Sequence, residues 1–472
     1  MRGTRTKFYA DIMAFNPEVT GSNNLVVVKY PDGTTTKFIV DCGLFQEREY
    51  SGYNNLLPFD AESLDFVLVT HNHVDHTGRL PLLIKNGYNK NIYMTDTTEL
   101  FIKLALNDSY KVLRNTALRD HAKMLYSSDD VQRTLEKIIG CGYNETIPIT
   151  SNIKVTFLSN GHLIGAAMIL VQISYPGCED INLLFTGDYN NKNIFFDVLP
   201  VPEWIKSLPL TIIQESTYGN MDSTEKKDCF KENVEKSIKD EKTVLALVFS
   251  LGRAQEILYE IKTLQQSGKI SSNIPIYFDG KLAIKYTSIY LREKINIKEE
   301  MKDFLPDNLT YVDDTFRSTL FEDDRPKIIL TTSGMGSYGP AQTYIPEYLA
   351  RENALIHFTG YTAEGTLGFR LKNALKYEAV DVAGLKVIKR SDVEYTTEYS
   401  AHAKADEMID FLLQFENIRL VLVNHGETDV KEIFAERVLR SVKTKHVGIL
   451  GKGYFFRIDP YGLVKTLSTK FK

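Results

Sequence analysis

Apolar and polar positions along the chain change rhythm twice. In the opening stretch "NLVVVKY", the turn "PDGT" and "TKFIVDCG" read as a β-hairpin, with turn residues that supply the backbone freedom a tight reversal needs. The strand "FVLVT" follows. From about Thr98 to Gly140 the pattern is helical, and then "IKVTFLSNGH", "MILVQISY" and "INLLFTGDY" alternate again as strands.

From about Ser223, beyond "TIIQESTYG", one unit repeats: a short apolar strand, a glycine-containing loop and an amphipathic helix. "TVLALVFS" leads through Gly252 into "RAQEILYEIKTLQQ", where Ile257, Leu258, Ile261 and Leu264 share a face. "IPIYFDGK", "KIILTTSGMGSYG" and "ALIHFTGYTAEG" lead likewise into "LAIKYTSIYLREK", "PAQTYIPEYLA" and "TLGFRLKNAL". This rhythm predicts a parallel α/β sheet, whose ligands gather outside the carboxyl ends of the strands. Near Lys386 the first style resumes with "VIKRSDVEY" and "IRLVLVNHG". The expectation is therefore a first domain over residues 1–206 and 386–472, interrupted by a second over 207–385.

A chain of 472 residues is long enough for two or three cores. The longest apolar runs fall short of the ~20 residues of a membrane-spanning helix, and the start carries neither a long apolar core nor a cleavage site, so the cytoplasm is the expected compartment. Cys42, Cys141, Cys178 and Cys229 are scattered without a C-x-x-C pair, which argues against a disulfide framework and a zinc ribbon. The formal charge of −5 disfavours a general nucleic-acid coat but is compatible with a local basic groove.

The densest chemistry is "VLVTHNHVDHTG", which follows a β-run and holds His71, His73, Asp75 and His76. His71 and His73 share a side if the extended backbone persists, while Asp75 and His76 come from the turn into a helix. Imidazole and carboxylate are the usual zinc ligands, and this spacing can serve two metals. The competing reading is a polar loop whose histidines cap a helix. It accounts poorly for His162 in "SNGHLIGAAM", Asp188 in "LLFTGDYN" and His425 in "LVLVNHGE", each beside an apolar run. As a set, with a strand-borne aspartate able to bridge two cations, they make a binuclear site the economical reading.

With these residues in hand, the chain resembles the metallo-β-lactamase fold, and within it the β-CASP nucleases. The motifs are "EVTGSNNLV", "FIVDCGLFQ", "HNHVDH", "ESTYG", "FSLGRAQE", "TTSGMGSYGPAQ", "GYTAEGTLGFRL", "YSAHAKADE" and "VNHGE", spread over nearly the whole chain. The nearest look is to bacterial and archaeal relatives of the cleavage and polyadenylation factor's nuclease subunit, which cut RNA. The resemblance implies an α/β protein: a metallo-β-lactamase αββα sandwich with an inserted parallel-sheet, Rossmann-like β-CASP domain. It implies two Zn2+, one held by His71, His73 and His162, the other by Asp75, His76 and His425, with Asp188 shared and Asp41 orienting ligands from behind. It also implies a Glu215–His402 dyad beside the metals; a carboxylate next to an imidazole favours the protonated ring, which can donate to a leaving alkoxide. A histidine at position 425 marks the RNA-cutting members.

RNA is thus the expected substrate, cut by attack of activated water to leave 3′-hydroxyl and 5′-phosphate ends. Arg253, at a helix start after Gly252, and Ser333, Gly334 and Gly336 in "SGMGS" are the candidate phosphate contacts. A homodimer and an RNA-binding partner protein are further expectations. Two departures bear on substrate: Asn16 and Pro17 replace the family's glycine-rich first loop, and "SAHAK", starting at Ser400, differs from the "SGHAS" of 5′-monophosphate-reading relatives. The alternatives are a DNA-directed β-CASP nuclease, a small-ester or thioester hydrolase of the same fold, and a non-catalytic scaffold.

Overall fold

The computed structural model describes residues 8–16, 18–47, 49–225, 229–292, 297–360, 362, 365–396, 399, 401–451 and 453–468; Pro17 and Ser400 lie outside them. The chain divides into two compact units: Met1–Asn193, Val198–Ser223 and Ala401–Lys472 form the first, Ile194–Asp197 and Thr224–Ser400 the second.

The first unit is built on two sheets. One runs across Gly462–Ser468, Tyr454–Asp459, Tyr9–Ala14, Asn24–Lys29, Thr35–Val40, Phe66–Leu68, Ile92–Thr95 and Ile138–Cys141. The other runs across Val447–Ile449, Ile418–Asn424, Leu210–Glu215, Ile181–Phe185, Ala167–Ile173, Ile153–Ser159 and Thr146–Pro148. Alternation in Tyr9–Ala14 sends Ala10, Ile12 and Ala14 inward. There they join Val26, Phe38 and Leu68 from the same sheet and Val155, Ile169, Leu183, Ile213 and Leu422 from the other in one apolar core. Helices cover the outer faces. Leu80, Leu83, Ile102 and Leu106 pack beneath the first sheet, and Met408, Phe411, Phe434 and Val438 beneath the second. This is the αββα sandwich expected.

Two boundaries and one element differ from the sequence reading. Leu210–Glu215 pairs with Ile181–Phe185 and Ile418–Asn424, so it belongs to the first unit, which continues to Ser223 rather than ending at 206. Asp392–Tyr395 pairs in parallel with Ala354–Phe358, so the second unit extends past 385 to Ser400. Ile138–Cys141, expected as the end of a helix, is an edge strand beside Ile92–Thr95, where its β-branched isoleucines suit extended backbone.

The second unit is the predicted parallel sheet, in the order Leu309–Tyr311, Ile276–Asp279, Ile328–Thr331, Thr243–Leu247, Ala354–Phe358 and Asp392–Tyr395. Every neighbouring pair is parallel. The helix Arg253–Gln266 buries Ile257, Leu258, Ile261 and Leu264, the face read from its spacing.

Candidate metal centre

Strand direction gathers the site. Thr35–Val40 and Phe66–Leu68 are parallel neighbours, so Asp41 and the His71 turn leave the same edge of the first sheet. In the second sheet, Ile181–Phe185, Leu210–Glu215 and Ile418–Asn424 are also parallel, which places Asp188, Glu215 and His425 at their carboxyl ends. The hairpin that pairs Ser159 with Ala167 carries His162. One bond ties the two edges together: the Ala167 amide donates to the Thr70 carbonyl at 2.9 Å.

Ligand-type atoms of His71, His73, His162 and Asp188 all lie within 4.8 Å of one another, and so do those of Asp75, His76 and His425. Asp188 reaches both groups. Its Oδ2 is 3.7 Å from His71 Nε2, 3.8 Å from His162 Nε2 and 3.3 Å from His76 Nε2, while Oδ1 is 3.3 Å from His425 Nε2. His71, His76, His162, Asp188 and His425 are buried; His73 and Asp75 are partly exposed and form the open side.

On the outer side of four rings an oxygen fixes the nitrogen facing away from the cluster. His76 Nδ1 lies 2.7 Å from Asp41 Oδ2, His71 Nδ1 3.0 Å from Thr70 Oγ1, His162 Nδ1 3.0 Å from the Ala401 carbonyl, and His425 Nδ1 3.2 Å from Thr217 Oγ1. Their inner nitrogens are left facing one another. His73 Nδ1 sits 3.1 Å from His71 Nε2 and 3.0 Å from His162 Nε2, and His76 Nε2 sits 3.1 Å from His425 Nε2. Among the described residues, buried Asp188 Oδ1 has no hydrogen-bond partner. Clustered lone pairs around a buried carboxylate are the donor set that a divalent cation satisfies, so these residues fit the metal expected from sequence.

For His71, His73 and His162 electrostatics point the same way, whereas His76 keeps its proton until a cation displaces it. Burial pushes the imidazoles of His71 and His162 well below their usual range and that of His73 down to about 4, which frees their lone pairs at neutral pH. For His76, burial disfavours the cation but the Asp188 and Asp41 carboxylates outweigh it and hold the ring well above its ordinary value. Burial disfavours the Asp188 anion, yet His425 and His76 keep that carboxyl well below the carboxylate range.

His402 stands beside this group. Both Glu215 carboxylate oxygens lie 3.0 Å from its Nδ1, and its Nε2 is 4.0 Å from Asp188 Oδ2. Glu215 is aimed by the Tyr189 amide at 2.8 Å and the Thr217 amide at 3.3 Å. Burial alone would lower the His402 pKa, but Glu215, then Asp188 and Asp75, raise it above the usual imidazole value.

The structure thus brings together, in the first unit, all seven proposed ligands, Asp41 and the Glu215–His402 pair. Arg253, Ser333, Gly334 and Gly336 belong to the second unit. Arg253 opens its helix as read, but its guanidinium is buried, 3.2 Å from Glu256 and over the Tyr399 ring. The Ser333 and Gly336 amides donate within their own loop, to the carbonyls of Tyr338 at 3.4 Å and Ser333 at 3.0 Å. Sequence reasoning passed over Thr70 and Thr217, although both stand within two residues of a singled-out residue in quoted motifs. It had no signal for the Tyr189 amide or the Ala401 carbonyl, because backbone groups carry no residue type.

A sandwich of two sheets with a histidine-rich cluster suited to metal binding at one edge, interrupted by a parallel α/β unit, defines a metallo-hydrolase. Three domain families match the chain: the Metallo-beta-lactamase superfamily over residues 18–146, the Beta-Casp domain over 254–371, and the Zn-dependent metallo-hydrolase RNA specificity domain over 387–447. The chain belongs to the β-CASP branch of the metallo-β-lactamase superfamily. It is 31% identical to Ribonuclease TTHA0252 of Thermus thermophilus over 424 residues, 87% of this chain and 91% of that one. It is 29% identical to an RNase J-like protein of Methanocaldococcus jannaschii over 419 residues, 86% and 91% of the two chains. It is also 30% identical to Endoribonuclease ysh1 of Schizosaccharomyces pombe over 375 residues, 78% of this chain and 47% of that one. Among the described residues, no helix is long and apolar enough to cross a membrane.

Proposed function

We propose that this protein is a zinc-dependent ribonuclease that hydrolyses phosphodiester bonds with two cations. The observation that carries this reading is the convergence of His71, His73, His162, Asp75, His76, His425 and Asp188 into two adjoining donor sets beside the Glu215–His402 pair. The imidazole-rich donors favour zinc over magnesium or calcium. Cations held there would bring the pKa of an attacking water to about 7 and neutralise charge developing on the phosphoryl oxygens.

The protein's own groups divide the remaining work. Asp188 lies against both histidine sets and fixes their spacing. Asp41 orients His76 directly, and Thr70 relays the same carboxylate to His71. Glu215 accepts Nδ1–H of His402 and favours the doubly protonated ring, whose second proton, on Nε2 and turned to the site, is suited to protonating the departing O3′. Such a cut leaves a 3′-hydroxyl and a 5′-phosphate. Arg253 and the loop of Ser333, Gly334 and Gly336 are proposed as phosphate contacts of the second unit, a role that requires the Arg253–Glu256 pair and the loop's own amide hydrogen bonds to give way to the phosphate. RNA is preferred over DNA because a histidine at the position of His425 is the mark of the RNA-cutting members that the chain resembles, and because the relatives above are named for ribonuclease activity.

End-labelled RNA and matched DNA oligonucleotides, incubated with the wild type, Asp75→Ala and His402→Ala, test this reading. Asp75→Ala is expected to lose bound metal and activity together. His402→Ala is expected to keep its metal while turnover falls by about 10² to 10⁴. Products ending in a 2′,3′-cyclic phosphate, or faster cleavage of the DNA, would contradict it.

A further inference from the structure

Two loops meet behind His425. The loop that follows Leu210–Glu215 offers the Ser216 amide to the His425 carbonyl at 3.1 Å and the Ser216 hydroxyl to the Asn424 carbonyl at 2.9 Å. His425 itself sits in the left-handed backbone region at φ +48°, which a side-chain-bearing residue rarely adopts unless its neighbours hold it. The packing is close enough that a Cβ added to Gly426 would fall 2.4 Å from Ser216 Oγ. The backbone of this ligand is therefore held by the neighbouring strand's loop.

Thr217 extends the same clasp to the ring. Its Oγ1 lies 3.4 Å from the His425 carbonyl and 3.2 Å from His425 Nδ1. With the hydroxyl proton given to the carbonyl, which only accepts, the hydroxyl oxygen is left to accept Nδ1–H from the ring. That choice of tautomer leaves Nε2 unprotonated, 3.1 Å from His76 Nε2 and 3.3 Å from Asp188 Oδ1. Thr217 has a second, separable contact: its amide donates to Glu215 Oε2 at 3.3 Å, on the carboxylate that holds His402.

We infer that Thr217 is a positioning residue for the second cation: its hydroxyl fixes the His425 tautomer so that Nε2 is delivered as a ligand. This rests on the two-cation reading above. Valine at 217 keeps the branched shape and the amide to Glu215 but removes the hydroxyl, so the effect falls on one donor set only. The loss of such an outer hydrogen bond weakens metal affinity by about 10- to 100-fold.

The test is zinc titration of the metal-free 472-residue chain by calorimetry and chelator competition, with wild type, Thr217→Val, Thr217→Ser and His425→Ala; circular dichroism verifies folding. The expected result is two binding steps in the wild type, of which His425→Ala abolishes one. Thr217→Val should weaken that same step by about 10- to 100-fold and leave the other within about threefold, and Thr217→Ser should restore it. If the valine variant does not fold, Thr217→Ala removes the same hydroxyl with less bulk and carries the same expectation. Unchanged affinity, equal weakening of both steps, or no recovery with serine would overturn the role of Thr217. A wild type that binds a single cation would overturn the two-cation reading itself, and the inference with it.

Discussion

At the scale of single residues, Asp41 does more than its distance in sequence from the histidines suggests. It too adopts the left-handed region, at φ +65°. Its Oδ1 accepts the Thr70 amide at 2.8 Å, and its Oδ2 accepts the Thr70 hydroxyl at 2.9 Å and faces His76 Nδ1. The hydroxyl in turn accepts from His71, so one buried carboxylate sets a ring in each donor set. Gly43, two residues on, shows how tightly this turn is packed against the short helix Val74–Thr77, which carries Asp75 and His76. A Cβ there would lie 1.4 Å from the Asp75 carbonyl oxygen, which is backbone and has no rotamer to give. Gly43→Ala is expected to displace the Asp75–His76 turn, lowering stability by about 3 kcal/mol and depleting bound zinc. Thermal unfolding and metal analysis of the purified variant check it; a variant with native melting and full zinc would show that the turn yields without cost.

At the scale of elements, one helix cap is tied directly to the site, at the long helix Asp96–Arg119. Thr95 caps it, with Oγ1 accepting the Thr98 amide at 3.0 Å. The same hydroxyl donates to the Gly165 carbonyl at 2.6 Å, in the hairpin loop that carries His162. Thr95→Ala removes both bonds, and the expected loss is about 1 to 2 kcal/mol in chemical denaturation, with Thr95→Ser close to wild type. Equal stability of the alanine and wild-type proteins would count against the cap. The elements themselves were legible where rhythm is strong. The helix Arg253–Gln266 begins and ends where its apolar spacing does, and the hairpin from Asn24 to Val40 forms around its turn. Ile138–Cys141 was misread because a short isoleucine-containing run at the end of a helical stretch acquires its strand identity only from Ile92–Thr95, some forty residues earlier.

At the scale of the whole molecule, the first unit assembles its metal centre from segments that contact one another only after folding; His76 and His425 are 349 residues apart. Cations that bind only this assembled form stabilise it in proportion to the logarithm of their concentration, by about 2.7 kcal/mol per site at a hundredfold excess over Kd. Chelation is therefore expected to lower the melting temperature, and zinc to restore it, in differential scanning fluorimetry. A midpoint indifferent to both would argue that the native state holds no cation.

The sequence by itself determined the donors and their order along the chain, the parallel rhythm of the inserted unit, and the pairing of Glu215 with His402 through family resemblance. The donors and the parallel rhythm are properties of residue type and local spacing, whereas the Glu215–His402 pairing came from the resemblance alone. Tertiary structure alone decided where one unit ends and the other begins, since Leu210–Glu215 and Asp392–Tyr395 take their membership from the strands they pair with. It alone decided, too, which nitrogen of each imidazole faces inward. That choice belongs to oxygens on Asp41, Thr70, Thr217 and the Ala401 backbone, and a ring cannot encode a partner that reaches it only when the two sheets stack.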